Sequence, residues 1–277
     1  MKNFHSNKTN LDERSKQLRK SIVYMMEKAG RGHPASALSL VEILRVLYDH
    51  ILTYNSAKPN WSKRDRCILS KGHGCLALYA ILADKGFFPK HEMNKFCQKD
   101  GILGGHPEQG KIPGVEASTG SLGHGLSIGI GMALNSLIDK NNYRVFVITG
   151  DGECNEGSIW EAAMCADKHN LSNLTVLVDY NKQQSYGPTS EIQELEPFAN
   201  KWESFGFAVQ EIDGHDVNIL KKSLQKNPFE DNKPNVLICH TVKGKGISFM
   251  ENNLSWHHKS KLSLDDIQLM YQSIEDY

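Results

Sequence analysis

The chain has 277 residues, and its 32 Lys plus Arg are balanced by 32 Asp plus Glu, so the formal charge is zero. That balance argues against the basic field of a nucleic-acid or membrane-surface protein, while the length is enough for one large α/β domain with a full core. Six cysteines without a C-x-x-C pair, a polar amino-terminal stretch and no bilayer-length apolar run point to reduced thiols in a cytoplasmic protein.

In chain order, residues 1–10 read as a flexible tail and 11–277 as a single domain. From Leu11, apolar side chains at Leu18, Ile22, Met25, Met26 and Ala29 follow helical spacing, and Gly30 is placed to end that helix. Ser39, with Glu42 three residues later, reads as a capping box that opens a second helix through Ile43, Leu44, Leu47, Tyr48 and Ile51. Gly32-His33-Pro34 lies in the loop between them. Residues 67–69 form a short strand signal, and Gly72-His73 opens a helix whose free amide donors suit an anion.

Residues 101–125 are rich in Gly, Pro and short polar side chains, a long loop of the kind that carries function. Residues 126–137 read as a helix in which Ser127, Gly129, Gly131 and Ala133 permit close backbone contact. Strand signals follow at 145–149, 174–178, 207–212 and 235–240, with helices at 158–170 and 216–226 and a peripheral helix at 264–277. Alternation of this kind predicts an α/β fold, a mostly parallel sheet covered by helices on both faces.

The densest chemistry follows the strand at 145–149. Gly150-Asp151-Gly152 stands at its carboxyl end, and Asn181 stands at the carboxyl end of the next strand, where open α/β sheets bind ligands. A carboxylate and an amide oxygen are hard donors that suit magnesium bridging a diphosphate, and the flanking glycines let backbone approach phosphate. His33, His73, His106 and His257 sit in Gly- or Pro-punctuated loops or at a helix start, not on apolar faces, so proton transfer suits them better than packing.

In order along nearly the whole chain stand Gly32-His33-Pro34, Ser70-Lys71-Gly72-His73-Gly74, Gly105-His106-Pro107-Glu108, Thr119-Gly120-Ser121-Leu122-Gly123-His124-Gly125, the Gly-Asp-Gly block and Trp256-His257. With these segments the chain resembles the transketolase family of thiamine-diphosphate enzymes, and in extent the N-terminal subunit of a split transketolase. The resemblance implies the thiamine-diphosphate-binding fold, with this chain as the diphosphate-binding domain. It also implies a separate partner chain that supplies the pyrimidine-binding and C-terminal domains, in a heterotetramer of two plus two.

The implied reaction transfers a two-carbon ketol unit from a ketose, or its phosphate, to an aldose or its phosphate. The cofactors would be thiamine diphosphate and Mg2+, or another divalent cation such as Ca2+ or Mn2+. Residue by residue, the resemblance gives the cation Asp151, Asn181 and the Gln183 carbonyl. It assigns His73, Gly120, Ser121, Leu122 and Gly152 to the cofactor, and His33, His106 and His257 to the cofactor's reactive carbon and the sugar oxygens. His258 stands where the family has Gly, so either His257 or His258 faces the site. Glu156 is either a helix-start carboxylate favoured by the dipole or a member of a cofactor-linked carboxylate network between subunits.

Cys154 and Cys165 read as packing residues, His5, His50, His91 and His169 as surface or packing histidines, and Lys243-Gly-Lys-Gly246 as a loop leading to His257. Three alternatives stay open: a specialised transketolase for an unusual sugar, a subunit of another thiamine-diphosphate complex such as a 2-oxoacid dehydrogenase, or a non-catalytic scaffold of the same fold.

Overall fold

The computed structural model describes residue 4 and residues 6–277; His5 lies outside them. The first half holds α1 (Glu13–Ala29), α2 (Pro34–Leu38), α3 (Val41–Val46), β1 (Arg66–Leu69), α4 (Cys75–Asp84) and α5 (His124–Ile138). Then come β2 (Val145–Gly150), α6 (Gly157–Lys168), β3 (Leu174–Tyr180), α7 (Thr189–Ile192), α8 (Phe198–Ser204), β4 (Ala208–Asp213), α9 (Val217–Leu224), β5 (Asn235–His240) and α10 (Leu264–Asp276). The five strands form one sheet in the order β1-β2-β3-β5-β4, with every pair parallel. The expected α/β architecture is the observed one.

Alternation along the strands explains why helices cover both faces. Phe146 and Ile148 of β2 join one core with Leu177, Leu237 and the apolar sides of α1 to α4, α9 and α10. Val145 and Val147 point the other way, into a second core with Val176, Val178, Val236 and Ile238 beneath α5, α6 and α8. Side chains that alternate between two buried faces leave the middles of β2, β3 and β5 apolar, whereas the edge strand β4 carries Gln210 and Glu211. Gly30 ends α1 in the left-handed region, at φ +66°, and its N–H caps the Met26 carbonyl.

The second helix departs from its expected form. Ser39 is helical itself and closes α2, and the continuation from α3 loosens into a π-helical turn over Leu47–Ile51. Both residues of the expected capping box are buried and take other partners: the Ser39 hydroxyl donates to Asp179 at 2.6 Å, and Glu42 receives Arg19. A box satisfies free amides at a helix start. Here buried charges from distant elements compete for the same side chains and win. α7 and α8, which no sequence signal marked, fold between β3 and β4. Residues 6–10 lie against the sheet, with the Ser6 hydroxyl donating to the His240 carbonyl and the Lys245 ammonium donating to the Ser6 carbonyl, each at 2.8 Å.

Candidate functional site

The register of β2 and β3 sets the first geometry. Gly150 pairs with Asp179, so Asp151 and Asn181 leave adjacent strands side by side at the carboxyl edge of the sheet. They line a cavity of about 230 Å³ together with His33, Lys71, His73, Gln183, Lys243 and His257. One end of this cavity is charged and the other is a cluster of imidazoles.

At the charged end, Asp151 is 3% exposed; its Oδ1 accepts from the Gly152 N–H at 2.7 Å and its Oδ2 from the Lys182 N–H. Burial, with Asp179 nearby, pushes its carboxyl up to about 6. Asp179 is fully enclosed below the site. It accepts from the Lys71 ammonium at 2.5 Å, the Ser39 hydroxyl, the Asn181 amide at 3.3 Å and the Thr241 hydroxyl. Burial would raise this carboxyl, but Lys71 and these donors hold it below its ordinary range. Asp179 therefore fixes Lys71 and Asn181 at the cavity floor.

Lys243 enters from the loop after β5, and its ammonium donates to the carbonyls of Gln183 at 3.2 Å and Gln184 at 3.1 Å. That contact shows the Gln183 oxygen directed where a cation can reach it. Burial and the neighbouring Lys71 lower the Lys243 amine to about 8. Lys71 and Lys243 were missed as site residues in the sequence. Two signals were available: Lys71 stands two residues before His73, and Lys243 opens a Lys-Gly-Lys-Gly run that resembles a phosphate-binding stretch but lacks Walker-A spacing.

At the other end the His33 ring lies 5.7 Å from those of His73 and His257, 6.4 Å from His106 and 4.7 Å from His258, centroid to centroid. His73 and His257 are 5.7 Å apart. The histidines of four separate sequence segments thus converge. His257 lines the cavity while His258 is exposed beside His33. A two-stranded bridge between Gly32 and Lys259 clamps these segments together. Burial, then the neighbouring cationic side chains, lower His33 to about 4 and His257 to about 3, and burial likewise lowers His73, so these rings are neutral at pH 7.

Gly120 and Leu122 line the cavity, whereas His106 and Ser121 line a shallower cleft that shares Gly120 with it. A Cβ on Gly120 would stand 3.0 Å from the His106 ring, and its φ of +156° further disfavours a side chain. Glu156 is exposed, at the start of α6 and outside the cavity lining. The carboxylate that does reach this corner is Glu153, buried and accepting from Ser70, the Gly123 N–H and the Gly150 N–H. His50, His91 and His169 are exposed.

The donor set fits a diphosphate with a divalent cation. Two ammonium groups, the Asp151 carboxylate, an amide and an accessible carbonyl share the same end, while the second lining carboxylate, Glu153, is already taken by Ser70 and two backbone N–H groups. Buried polar atoms of four cavity-lining residues, Ser36 Oγ, Gln183 Oε1, Gln184 Nε2 and His257 Nδ1, have no hydrogen-bond partner among the described residues. Unsatisfied buried groups are costly, and a polar ligand in this cavity would relieve them.

Residues 12–274 match the family model described as "Transketolase, thiamine diphosphate binding domain". The chain is 41% identical over 248 residues to an apulose-4-phosphate transketolase subunit of Phocaeicola vulgatus, covering 90% of this chain and 88% of that one. It is 40% identical to the 6-deoxy-6-sulfo-D-fructose transketolase subunit of a Clostridium species, covering 90% of each. The crystal structure of Campylobacter jejuni transketolase superposes with a TM-score of 0.87 at 29% identity, over 96% of this chain and 43% of that one. The chain thus spans under half the length of the full transketolases it matches.

Proposed function

We infer the function from one premise: the chain belongs to the transketolase family, through its thiamine diphosphate binding domain. It is the N-terminal subunit of a two-chain transketolase, active with a partner that carries the remaining domains. The observation that carries this reading is the cavity itself, cationic at one end and lined with neutral imidazoles at the other. Relatives matched over most of their own length are named as subunits, which supports the split assembly.

In this reading Asp151, Asn181 and the Gln183 carbonyl hold a magnesium or similar divalent ion. Lys71, Lys243, His73 and the Gly152 backbone neutralise and grip the diphosphate, with Gly120, Ser121 and Leu122 shaping the adjoining wall. The bound cofactor supplies the electron sink that stabilises carbanion character at the ketol carbon. His33, His106 and His257 orient the sugar oxygens. Neutral imidazole can take a hydroxyl proton and return it at a carbonyl oxygen, and burial keeps His33 and His257 in that form. Glu156, outside the cavity, would act only through an interface with another subunit.

The substrate class follows the relatives. Those with 41% and 40% identity are named for a branched sugar phosphate and a sulfonated ketose, so a ketose or aldose with an anionic end is proposed here. The test is ketol transfer by the chain, its partner and both together, with thiamine diphosphate and magnesium, over phosphorylated and sulfonated sugars. Activity only in the two-chain mixture is expected. Full activity of the isolated chain would overturn the split reading.

A further inference from the structure

One buried charged cluster has no part in the chemistry above. Arg19 of α1, Glu42 of α3 and His215, in the turn after β4, are 0%, 1% and 1% exposed. Arg19 grips Glu42 with both arms, Nη1 to Oε1 at 2.6 Å and Nη2 to Oε2 at 2.9 Å, and His215 Nδ1 lies 2.8 Å from Glu42 Oε2. Burial alone would raise the Glu42 carboxyl, yet Arg19 and His215 hold it well below the carboxylate range. Buried ion clusters of this sort are rarely an efficient source of stability compared with apolar packing. Their retention needs a reason in what they hold.

What they hold is one loop. His215 Nε2 is 2.9 Å from the Val242 amide nitrogen, and Arg19 Nε donates to the Lys245 carbonyl at 2.8 Å. A backbone N–H can only donate, so Nε2 is the unprotonated nitrogen, and Nδ1 carries the proton that goes to Glu42. The two bonds fall on either side of Lys243-Gly244. A third tie, from the Gly244 N–H to the Ala35 carbonyl at 3.0 Å, seats the loop against α2. The other Arg19 contacts, to the Ser15 and Leu38 carbonyls, fix the guanidinium between α1 and α2. Lys243 is the residue of this loop whose ammonium enters the cavity.

We propose that Arg19, Glu42 and His215 form a positioning triad that sets the 242–245 loop so that the Lys243 ammonium stands at the diphosphate end of the cavity. This rests on the reading of that end as the diphosphate site. The triad touches no ligand; it acts through Lys243. A flexible loop lysine would lose side-chain and backbone freedom on binding, and a loop already fixed by buried partners does not incur that cost at the moment of binding.

The test uses the chain assembled with its partner, and two readouts. Thiamine diphosphate affinity is measured calorimetrically in magnesium for wild type, Lys243→Met, His215→Leu, the double variant and His215→Gln. Amide hydrogen exchange is followed without cofactor. His215→Leu should weaken binding about tenfold, with no further loss when added to Lys243→Met, because both act through one ammonium. The glutamine amide can accept from Val242 and donate to Glu42, so His215→Gln should bind within about threefold of wild type.

Exchange in His215→Leu should quicken over 241–247 and not over the strands. Multiplicative losses in the double variant, or an unchanged affinity in His215→Leu, would overturn the proposal. If His215→Leu does not fold, His215→Asn takes its place, its short amide reaching only one of the two partners. Unchanged affinity in both Lys243→Met and Asp151→Ala would instead overturn the diphosphate reading, which separates the two failures.

Discussion

The two ends of the cavity are built on different principles. The charged end stands on strand termini: Asp151 and Asn181 follow neighbouring strands in fixed register, and Asp179 ties Lys71 and Asn181 from below. The imidazole end is assembled from loops, with His33, His106 and His257 brought from three distant segments and held by packing and a short backbone bridge. Strand ends hold charges that must meet the opposite charges of a ligand, where small displacements cost much. Loops hold neutral groups that must follow a substrate through changes in shape. The contrast predicts that damage to the charged end removes binding, and damage to the imidazole end removes turnover.

The largest effect should come from Asp151→Ala or Asn181→Ala. Removing a hard donor leaves the cation short of an oxygen ligand in a buried site, a loss of about 3–5 kcal/mol, or more than about a hundredfold in cofactor affinity. Calorimetric titration of the assembled complex with thiamine diphosphate and magnesium checks it; unchanged affinity in either variant would remove the metal site from that end. Next, His33→Ala and His106→Ala should each lower kcat by about a hundredfold while shifting cofactor half-saturation by less than about threefold. His73→Ala should show the reverse pattern, because its ring also stands within the influence of Lys71 at the charged end. Steady-state kinetics at limiting and saturating cofactor separate the classes, and identical behaviour of all three would erase the distinction between the ends.

A backbone contact joins the two ends and can be probed directly. A Cβ on Gly72 would stand 2.8 Å from the Thr119 carbonyl and 2.9 Å from the Gly120 nitrogen, so Gly72→Ala must push the 119–122 loop away from the cavity. The expected loss of stability is about 1–3 kcal/mol, read from urea unfolding, and cofactor affinity should fall with it.

The smallest effect concerns pH. Burial lowers His33 to about 4 and His257 to about 3 in the fold, both below the ordinary value of about 6.5 for an unfolded chain. The unfolded state therefore binds protons first as pH falls. Their contribution to stability is complete above about pH 6.5 and declines as pH drops toward 4. NMR titration of the imidazoles, with urea midpoints at pH 7 and 5, checks this; His33→Ala should lessen the decline. A midpoint for His33 near 6.5 would show its end of the cavity to be solvated.

Much of this was written locally in the chain. α1 and its glycine stop, the strands and the helices α5, α6, α9 and α10 follow from spacing alone, because apolar periodicity and turn chemistry act over a few residues. Asp151 and Asn181 were legible as a pair because consecutive parallel strands joined by a helix place their carboxyl ends together. The segments bearing the four histidines were legible as motifs. Their convergence to within about one ring of each other was not.

Tertiary structure alone decided the rest. Ser39 and Glu42 carry a capping-box signature, yet Ser39 is recruited by Asp179 and Glu42 by Arg19 and His215, partners far away in sequence. Lys243 sits in a Lys-Gly-Lys-Gly loop that lacks Walker-A spacing and becomes a cavity residue because β5 lies beside β3. The same adjacency brings Thr241 to Asp179. Which of His257 and His258 lines the cavity is set by the bridge that fixes Lys259 to Gly32. Periodicity is a property of neighbours along the chain, whereas a buried charge is satisfied by whatever the sheet order brings within hydrogen-bond reach. That second kind of information exists only once the strands have been placed.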